Sequence, residues 1–383
     1  VARTYGNPVY VNMLLLIALS MPLATPGAVL SAKLWTDLKA GPYCIIQMGS
    51  ALVRYGGAVL LAKLGFGPMS WAWPLVALEV FEAVAYLIVT RDLAWLRRPD
   101  LSLWPELIRT SKWVMLLALA LATFNQGAFL VIGKFATEES AGVFYFASQI
   151  VMQVEVLVAF NLHQVLFPSL VRLNSEPERQ REAVLRSLRT LTLIAAPAGL
   201  AVAITFEPLQ RLLWPGQTPG VGKWDDAVLP VQILAVFMSA RVLYAIPDAI
   251  LQARGRFKRL SLMVLLLGVG AMIAALGGCK LGHATPIAIS LWVGMYLALA
   301  CVVFAAAALA LIGVRPTELL RAIAPAWGLA VLVAAIAYAI DRRWLLGLHP
   351  IPRGLALALL FAAMIAPVSS KVSFGSLHSA TAC

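Results

Sequence analysis

The sequence contains few charged residues, and fewer of these are acidic than basic. Only 13% of its 383 residues are Asp, Glu, Lys or Arg, whereas soluble domains carry about 25%. Hydrophobic residues make up 61%, and the mean hydropathy is +0.86. Such a chain cannot cover itself with a water-facing surface, so its composition excludes a soluble globular protein and predicts a membrane protein.

Cysteine and processing signals are also scarce. Four cysteines, at positions 44, 279, 301 and 383, show no paired spacing, which excludes a disulfide framework or a Cys-based metal site. No phosphate-binding loop is present, and we expect no cofactor. The first ten residues hold neither an initiator Met nor a signal peptide. Because the chain starts abruptly ahead of a full apolar span, we expect a fragment.

Apolar stretches of about 20 residues are typical of membrane-spanning helices. The sequence contains eleven, which predicts an all-α polytopic protein, because an open sheet edge cannot be satisfied in lipid. The predicted spans are 9–30, 42–62, 68–90, 113–133, 141–167, 190–210, 227–251, 260–278, 286–312, 322–340 and 353–369.

The basic residues test this assignment independently, because Lys and Arg concentrate in cytoplasmic loops. Along strictly alternating loops, 19 of the 30 basic residues fall on one side and 9 on the other, and two lie inside spans. The split places the N-terminus outside and the C-terminus in the cytoplasm. The loop that holds Arg342, Arg343 and Arg353 is the one clear exception.

Several connecting segments resemble the polysaccharide-transporter branch of the multidrug/oligosaccharidyl-lipid/polysaccharide (MOP) exporter superfamily, which includes the Wzx-type oligosaccharide flippases. The matching stretches, in order, are LLAKLGFGPMSWA at 60–72, SAGVFYFASQI at 140–150, QVLFPSLVRLNSEPERQREAVLRSLRTLTLIAAP at 164–197, KWDDAVLPVQILAV at 223–236 and ILQARGRFKR at 250–259. Each stretch is loose alone, and their order and spacing carry the resemblance.

The resemblance implies a MATE-like bundle of two six-helix lobes and two further helices, with this chain lacking the first three helices. Residues 1–90 would then be the remnant of the N-terminal lobe and 91–112 a cytoplasmic linker. Residues 113–312 would be the six-helix C-terminal lobe, and 313–383 two extra helices and a tail. The family often carries an acidic residue before the Gly of VIGKF, but this chain reads NQGAFLVIG there, which removes a carboxylate to which ion coupling is assigned.

Charged side chains within a membrane span are costly and indicate a functional role or a partner. Arg54 and Glu79 lie at similar depths on neighbouring antiparallel spans. Either they form an ion pair that clamps the hairpin, or Arg54 faces a cavity and binds phosphate with Glu79 holding it in place. Glu82, three residues after Glu79, is either a second cavity carboxylate or a group that titrates with protons.

Arg241 has no acidic residue within four positions on its own span. It either faces the substrate or forms an ion pair with Glu155 or another partner on a different helix. Asp248 lies on the same face two turns away. Pro247, between them, frees the carbonyl of Leu243 and predicts a kink.

Polar residues cluster on spans 113–133 and 141–167, among them Asn125 and Gln149. Gln149 and Gln153 share one helix face, so a polar face toward the substrate is one interpretation. Hydrogen bonding between helices is the other.

The resemblance implies flipping of a polyprenyl-diphosphate-linked oligosaccharide across the bacterial inner membrane by alternating access, for lipopolysaccharide or exopolysaccharide synthesis. Its partners would be this glycan lipid, membrane lipid, and polymerase or assembly proteins, but not nucleic acid. One alternative is a MATE-like exporter of small cations, which requires uncompensated carboxylates in its cavity. Another is a membrane enzyme acting on lipid-linked sugars, although the longest connectors run to only about 20 residues, roughly the length of one span. We therefore expect a transporter and not an enzyme.

Overall fold

The computed structural model describes residues 8–37, 39–91, 100–160, 176–216 and 223–341. It also describes residues 166, 170, 173, 343, 352–353, 356–357 and 359. Within this part of the chain the structure is helical and contains no β-strand. The chain divides into two compact units, Val1–Trp104 and Pro105–Cys383.

The first unit contains three long helices. Helix α1 spans Pro8–Thr36 and helix α3 spans Met69–Thr90. Between them, α2 consists of two α-helical segments, Ala40–Ala51 and Gly57–Lys63, joined by a π-helical turn at Leu52–Gly56. The hairpin between α2 and α3 is tight because Gly65 and Gly67 both adopt positive φ angles, which glycine does without steric cost.

The second unit begins with α4 (Trp104–Phe135) and α5 (Glu138–Glu155), the latter extended by a π-helical turn at Val156–Phe160. Helix α6 (Pro177–Leu213) follows, and then come two short helices, α7 (Val228–Met238) and α8 (Ala245–Ala253). The last three are α9 (Phe257–Leu281), α10 (Pro286–Ala310) and α11 (Pro316–Ile340).

Local sequence explains several helix starts. Thr137 and Thr285 are N-cap residues whose hydroxyls accept hydrogen bonds from the backbone N–H groups of Ser140 and Ala288. Helices α6, α10 and α11 have proline in the first turn, where the missing N–H costs nothing.

Ten helical segments of the described chain are long and apolar enough to cross a membrane, with α7 and α8 counted as one. They correspond to the first ten predicted spans, which confirms the all-α polytopic fold. The predicted eleventh span, 353–369, lies almost entirely outside the described residues. The division into 1–90, 91–112, 113–312 and 313–383 stays a prediction.

Two predicted connectors belong instead to long helices. The second half of the segment 91–112 is part of α4, which begins at Trp104 and continues into the span. The basic segment before span 190–210 is likewise continuous with that span, since α6 runs for 37 residues from Pro177.

Helices α4 and α9 pack closely in the core of the second unit. A Cβ atom added at Gly268 of α9 would lie 2.7 Å from the backbone nitrogen of Phe124 on α4. Only glycine therefore allows these two helices to pack at their observed separation. Phe124 is itself buried in the core, which also includes Leu234 and Val264.

Candidate functional site

The span that carries Arg241 is broken in its middle. Helix α7 ends at Met238, a 3₁₀ turn covers Arg241–Tyr244, and α8 begins at Ala245. Pro247 has no N–H to bond with the carbonyl of Leu243, so regular α-helical bonding cannot continue through this turn. The helix is therefore interrupted in the region where a kink is predicted, and the interruption begins about two turns before the proline.

The break holds the Arg241 side chain inside the second unit, where it is only 3% exposed. Its Nε lies 3.3 Å from Oε2 of Glu155 on α5. Its Nη2 donates a 2.5 Å hydrogen bond to Oδ1 of Asn125 on α4, and its guanidinium carbon lies 4.4 Å from the ring centroid of Phe124. Arg241 thus joins three helical segments and is ion-paired with Glu155, which was one of the two alternatives.

The ion pair is not a hydrogen bond. Arg241 Nε and Glu155 Oε2 both lack a hydrogen-bond partner, although both atoms are buried. Their attraction is therefore mainly coulombic, and the directional bond of this cluster is the one to Asn125. Because Arg241 Nε and Glu155 Oε2 make no hydrogen bond, Arg241 can still donate to a different partner.

Little free space adjoins Arg241 in this conformation. The cavity beside it has a volume of about 30 Å³ and is lined by Asn125, Phe129, Ser148 and Met152 among others. A water molecule needs roughly 10–15 Å³ of such space. The cavity therefore suits one or two waters and not a diphosphate.

Neither Asp248 nor Gln149 is among the residues that line the cavity beside Arg241. Asp248 is buried and accepts hydrogen bonds from Gln252 Nε2 at 2.9 Å and Tyr244 Oη at 3.4 Å. Gln149 is half-buried on α5 and does not line the cavity beside Arg241. Their assignment to substrate binding stays a prediction.

Arg54 of the first unit lies against two aromatic rings. It lies in the π-helical turn of α2, and such turns often mark functional positions. Its guanidinium lies 5.6 Å from the ring centroid of Tyr55 and 5.7 Å from that of Trp71. Its Nε is buried without a hydrogen-bond partner. Among the described residues, no carboxylate lies within ion-pair distance of Arg54.

Two polar residues of α2, Gln47 and Arg54, lie level with two residues of α3. Gln47 Nε2 donates a 3.0 Å hydrogen bond to Tyr86 Oη, which fixes the antiparallel register of the two helices. In that register Arg54 and Glu79 lie at the same level, as the sequence predicted. Glu82 lies on the same face of α3, next to Gly27 of α1. The Arg54 guanidinium contacts the aromatic rings and makes no salt bridge to Glu79, although the two charges are near enough to interact electrostatically.

Comparison with known proteins identifies the family. A family model described as "Polysaccharide biosynthesis protein" matches residues 1–217, which is more than half of the chain. The chain belongs to this family. The matched segment contains Arg54, Glu79, Glu82, Asn125, Gln149 and Glu155, but neither Arg241 nor Asp248.

The fold is similar to that of a solved flippase. The structure titled "Lipid II flippase MurJ, inward closed conformation" aligns with a TM-score of 0.64 at 15% sequence identity. The alignment covers 92% of this chain and 73% of the other. No curated protein matches the sequence. The family match and the fold together confirm the resemblance to the MOP exporter superfamily.

This family member also contains a buried ion-pair network that sequence reasoning missed. Arg353 is 5% exposed and makes two hydrogen bonds to Asp341, Nε to Oδ1 at 2.7 Å and Nη2 to Oδ2 at 2.6 Å. Its Nη2 also lies 3.4 Å from Glu207 on α6, and Glu207 pairs with Arg211 at 3.2 Å. The signal in the sequence was the loop with too many basic residues, because Arg353 is neutralised and is not a free loop charge.

A second network joins loops and helix ends that the charge distribution predicts to be cytoplasmic. Arg254 donates to the carbonyl of Leu311 at 2.9 Å and to Gln180 Oε1 at 2.7 Å, while Arg181 binds Glu318 at 2.6 Å. Burial, together with the nearby positive charge of Arg256, lowers the pKa of Arg254. These bonds tie α6 to α11 and to the α8–α9 loop.

Within the described ranges, no group of three or more His, Cys, Asp or Glu side chains could hold a metal ion. The candidate site residues also include cations and amides, namely Arg54, Arg241, Asn125 and Gln149. Such groups suit anionic or hydrogen-bonding ligands.

Proposed function

We propose that this protein translocates a polyprenyl-diphosphate-linked oligosaccharide across the bacterial inner membrane by alternating access, for the synthesis of a surface polysaccharide. Support comes from the polysaccharide biosynthesis family and from the MurJ-like fold. In this proposal the N-terminus of the chain is extracytoplasmic, its C-terminus is cytoplasmic, and it acts as a transporter, with a polymerase or other assembly proteins as partners.

The observation that carries the proposal is the state of Arg54. A charged side chain at the centre of a membrane-spanning helix costs about 2.5–3.5 kcal/mol on insertion scales. The described residues offer it two aromatic rings and no carboxylate within ion-pair distance. Its planar fork of donors matches the geometry of phosphate oxygens, and a diphosphate supplies negative charge that these donors can bind directly. Arg54 is therefore the side chain we assign to the diphosphate.

Arg241 takes a different role in this conformation, because Glu155 and Asn125 already hold it and the adjoining cavity suits only water. A role for Arg241 in substrate binding requires a second conformation, in which the pair with Glu155 is broken. The unaligned geometry of that pair supports such an exchange.

The exporter of small cations needs carboxylates without partners. Of the four candidates, Glu155 is paired with Arg241, and Asp248 accepts hydrogen bonds from Gln252 and Tyr244. Only Glu79 and Glu82 remain, at the level of a positive Arg54 that repels cations. The arrangement therefore favours an anionic substrate.

The test replaces Arg54 with Gln, and separately with Lys, in the full-length protein and measures surface glycan assembly in cells. Losing a charge-assisted hydrogen bond costs about 1.5–3 kcal/mol, or roughly tenfold to more than a hundredfold in rate. We expect a loss of that size for Arg54→Gln. We expect a smaller loss for Arg54→Lys, which keeps the charge but not the fork.

Lys63→Gln is the matched control, because Lys63 is an exposed cation at the end of the same helix. It should support normal glycan assembly. Wild-type assembly by Arg54→Gln, at equal protein level, would reject Arg54 as the diphosphate ligand.

A further inference from the structure

An apolar groove runs along the outside of the α2–α3 hairpin in the first unit. It has a volume of about 480 Å³ and is lined by Val53, Gly57, Leu61, Phe66, Trp73, Pro74 and Ala77. This volume lies within the range of about 300–1,000 Å³ that is usual for small-molecule sites. None of the lining side chains is charged, so the ligand part that fits here is a hydrocarbon.

The groove exists because two residues bring α2 and α3 close together. A Cβ atom added at Gly57 would lie 3.4 Å from Cβ and 3.5 Å from Cγ of Pro74. Gly57 and Pro74 therefore line the groove where the two helices are close, together with larger side chains such as Leu61 and Trp73. A side chain longer than alanine at position 57 would enter the groove.

Arg54 adjoins this groove. Val53, which lines it, is the preceding residue, and Gly57 is one turn along the same helix. The Arg54 guanidinium lies 5.7 Å from the ring centroid of Trp71 at the start of α3, two residues before Trp73, which lines the groove. A cation whose buried Nε makes no hydrogen bond thus lies next along the helix to residues that line an apolar groove.

We propose that this groove binds the proximal isoprene units of a polyprenyl phosphate lipid whose phosphate is held by Arg54. The proposal rests on the proposed function, and it adds a site for the lipid chain to the site for the head group. A single-chain lipid with a phosphate at one end satisfies both features at once.

The test measures binding of a polyprenyl monophosphate to the purified full chain in detergent by native mass spectrometry. Gly57→Leu fills the groove, and we expect it to weaken binding by about tenfold. Gly56→Leu is the matched control, since a Cβ atom at Gly56 meets nothing within 4 Å. It should bind within about twofold of wild type. Unchanged binding by a folded Gly57→Leu variant overturns the proposal.

Three further experiments extend the test. Ala77→Leu fills the groove from α3 and replaces Gly57→Leu if that variant does not fold. A photoreactive polyprenyl monophosphate on the wild-type chain should label the residues that line the groove, and labelling confined to other segments rejects the site. Equal competition by phosphatidylglycerol would make the groove an ordinary lipid contact and also rejects it.

These results are separable from those on the proposed function. If Arg54→Gln abolishes glycan assembly while Gly57→Leu binds the polyprenyl monophosphate normally, the groove is wrong and the flippase stands. If Gly57→Leu loses binding but Arg54→Gln assembles glycan normally, the chain binds prenyl lipid and the assigned head-group ligand is wrong.

Discussion

The buried pair of Arg241 and Glu155 allows a quantitative prediction about stability. Arg241→Met removes the cation and keeps a similar length, and Glu155→Gln removes the anion and keeps the shape. Each single change leaves a buried charge without its partner, which costs about 3–5 kcal/mol in buried pairs. Because the Glu155 side chain is still 20% exposed, we expect values of about 3 kcal/mol or somewhat less.

The double variant should be much less destabilised than the sum of the two single variants. At 3.3 Å and an effective dielectric constant of about 20, the coulombic attraction is about 5 kcal/mol. Loss of hydration opposes this attraction, and contacting residues have coupling energies of about 0.5–3 kcal/mol. We therefore expect a coupling energy of about 2 kcal/mol.

The assay is reversible unfolding of the purified protein in mixed micelles, followed by tryptophan fluorescence, for the four members of the cycle. A control cycle combines Arg241→Met with Glu318→Gln, whose carboxylate binds Arg181 instead. Residues without shared partners should add within about 0.3–0.5 kcal/mol. A coupling energy as small in the Arg241–Glu155 cycle as in the control would refute the interpretation of this contact as a stabilising ion pair.

Two further predictions concern the second unit. Asp341→Asn should destabilise the protein by about 3 kcal/mol or somewhat less in the same assay, because it removes the two-point partner of the 5% exposed Arg353 while Glu207 remains 3.4 Å away; a change below 1 kcal/mol would contradict the network. Gly268→Ala should lower the unfolding temperature, because its Cβ atom would meet the backbone of Phe124 at 2.7 Å. Gly142→Ala, whose Cβ atom meets nothing within 4 Å, should raise stability by up to about 1 kcal/mol. Equal effects of the two glycine substitutions would show that helix propensity, and not close packing, decides the outcome.

The spans could be predicted from sequence because hydropathy is a local property. Each of the ten confirmed spans contains its own apolar run, and no distant residue is needed to recognise it. The ends of the helices were less predictable. Helices α4 and α6 extend into basic segments, because a helix continues beyond the membrane wherever its residues form hydrogen bonds within the chain.

Partners of buried charges could not be decided from sequence, because they are distant along the chain. Arg241 and Glu155 are both visible as charges within spans, but only the packing of α5 against α7 brings them to 3.3 Å. The same holds for Arg353, whose partner Glu207 lies on α6. Arg54 and Glu79 show the opposite outcome. Their equal depth suggested contact, yet the Arg54 side chain lies against Trp71.

The π-helical turn at Leu52–Gly56 explains part of that difference. A π turn contains one more residue than an α turn, so it rotates the side chains that follow it relative to those before it. Gln47, before the turn, keeps its hydrogen bond to Tyr86. No local pattern in the sequence predicts such a turn.

The two arginines within spans thus differ in what a ligand would have to displace. A phosphate that approached Arg241 would compete with the carboxylate of Glu155 and the amide of Asn125, and it would need space that the adjoining cavity lacks. A phosphate that approached Arg54 would meet a guanidinium flanked by Tyr55 and Trp71, with no salt bridge to a described carboxylate to break. Binding energy is lost whenever an existing ion pair must be broken first. Arg54 is therefore the better first contact for an anionic head group, and engagement of Arg241 would have to follow a conformational change that separates it from Glu155.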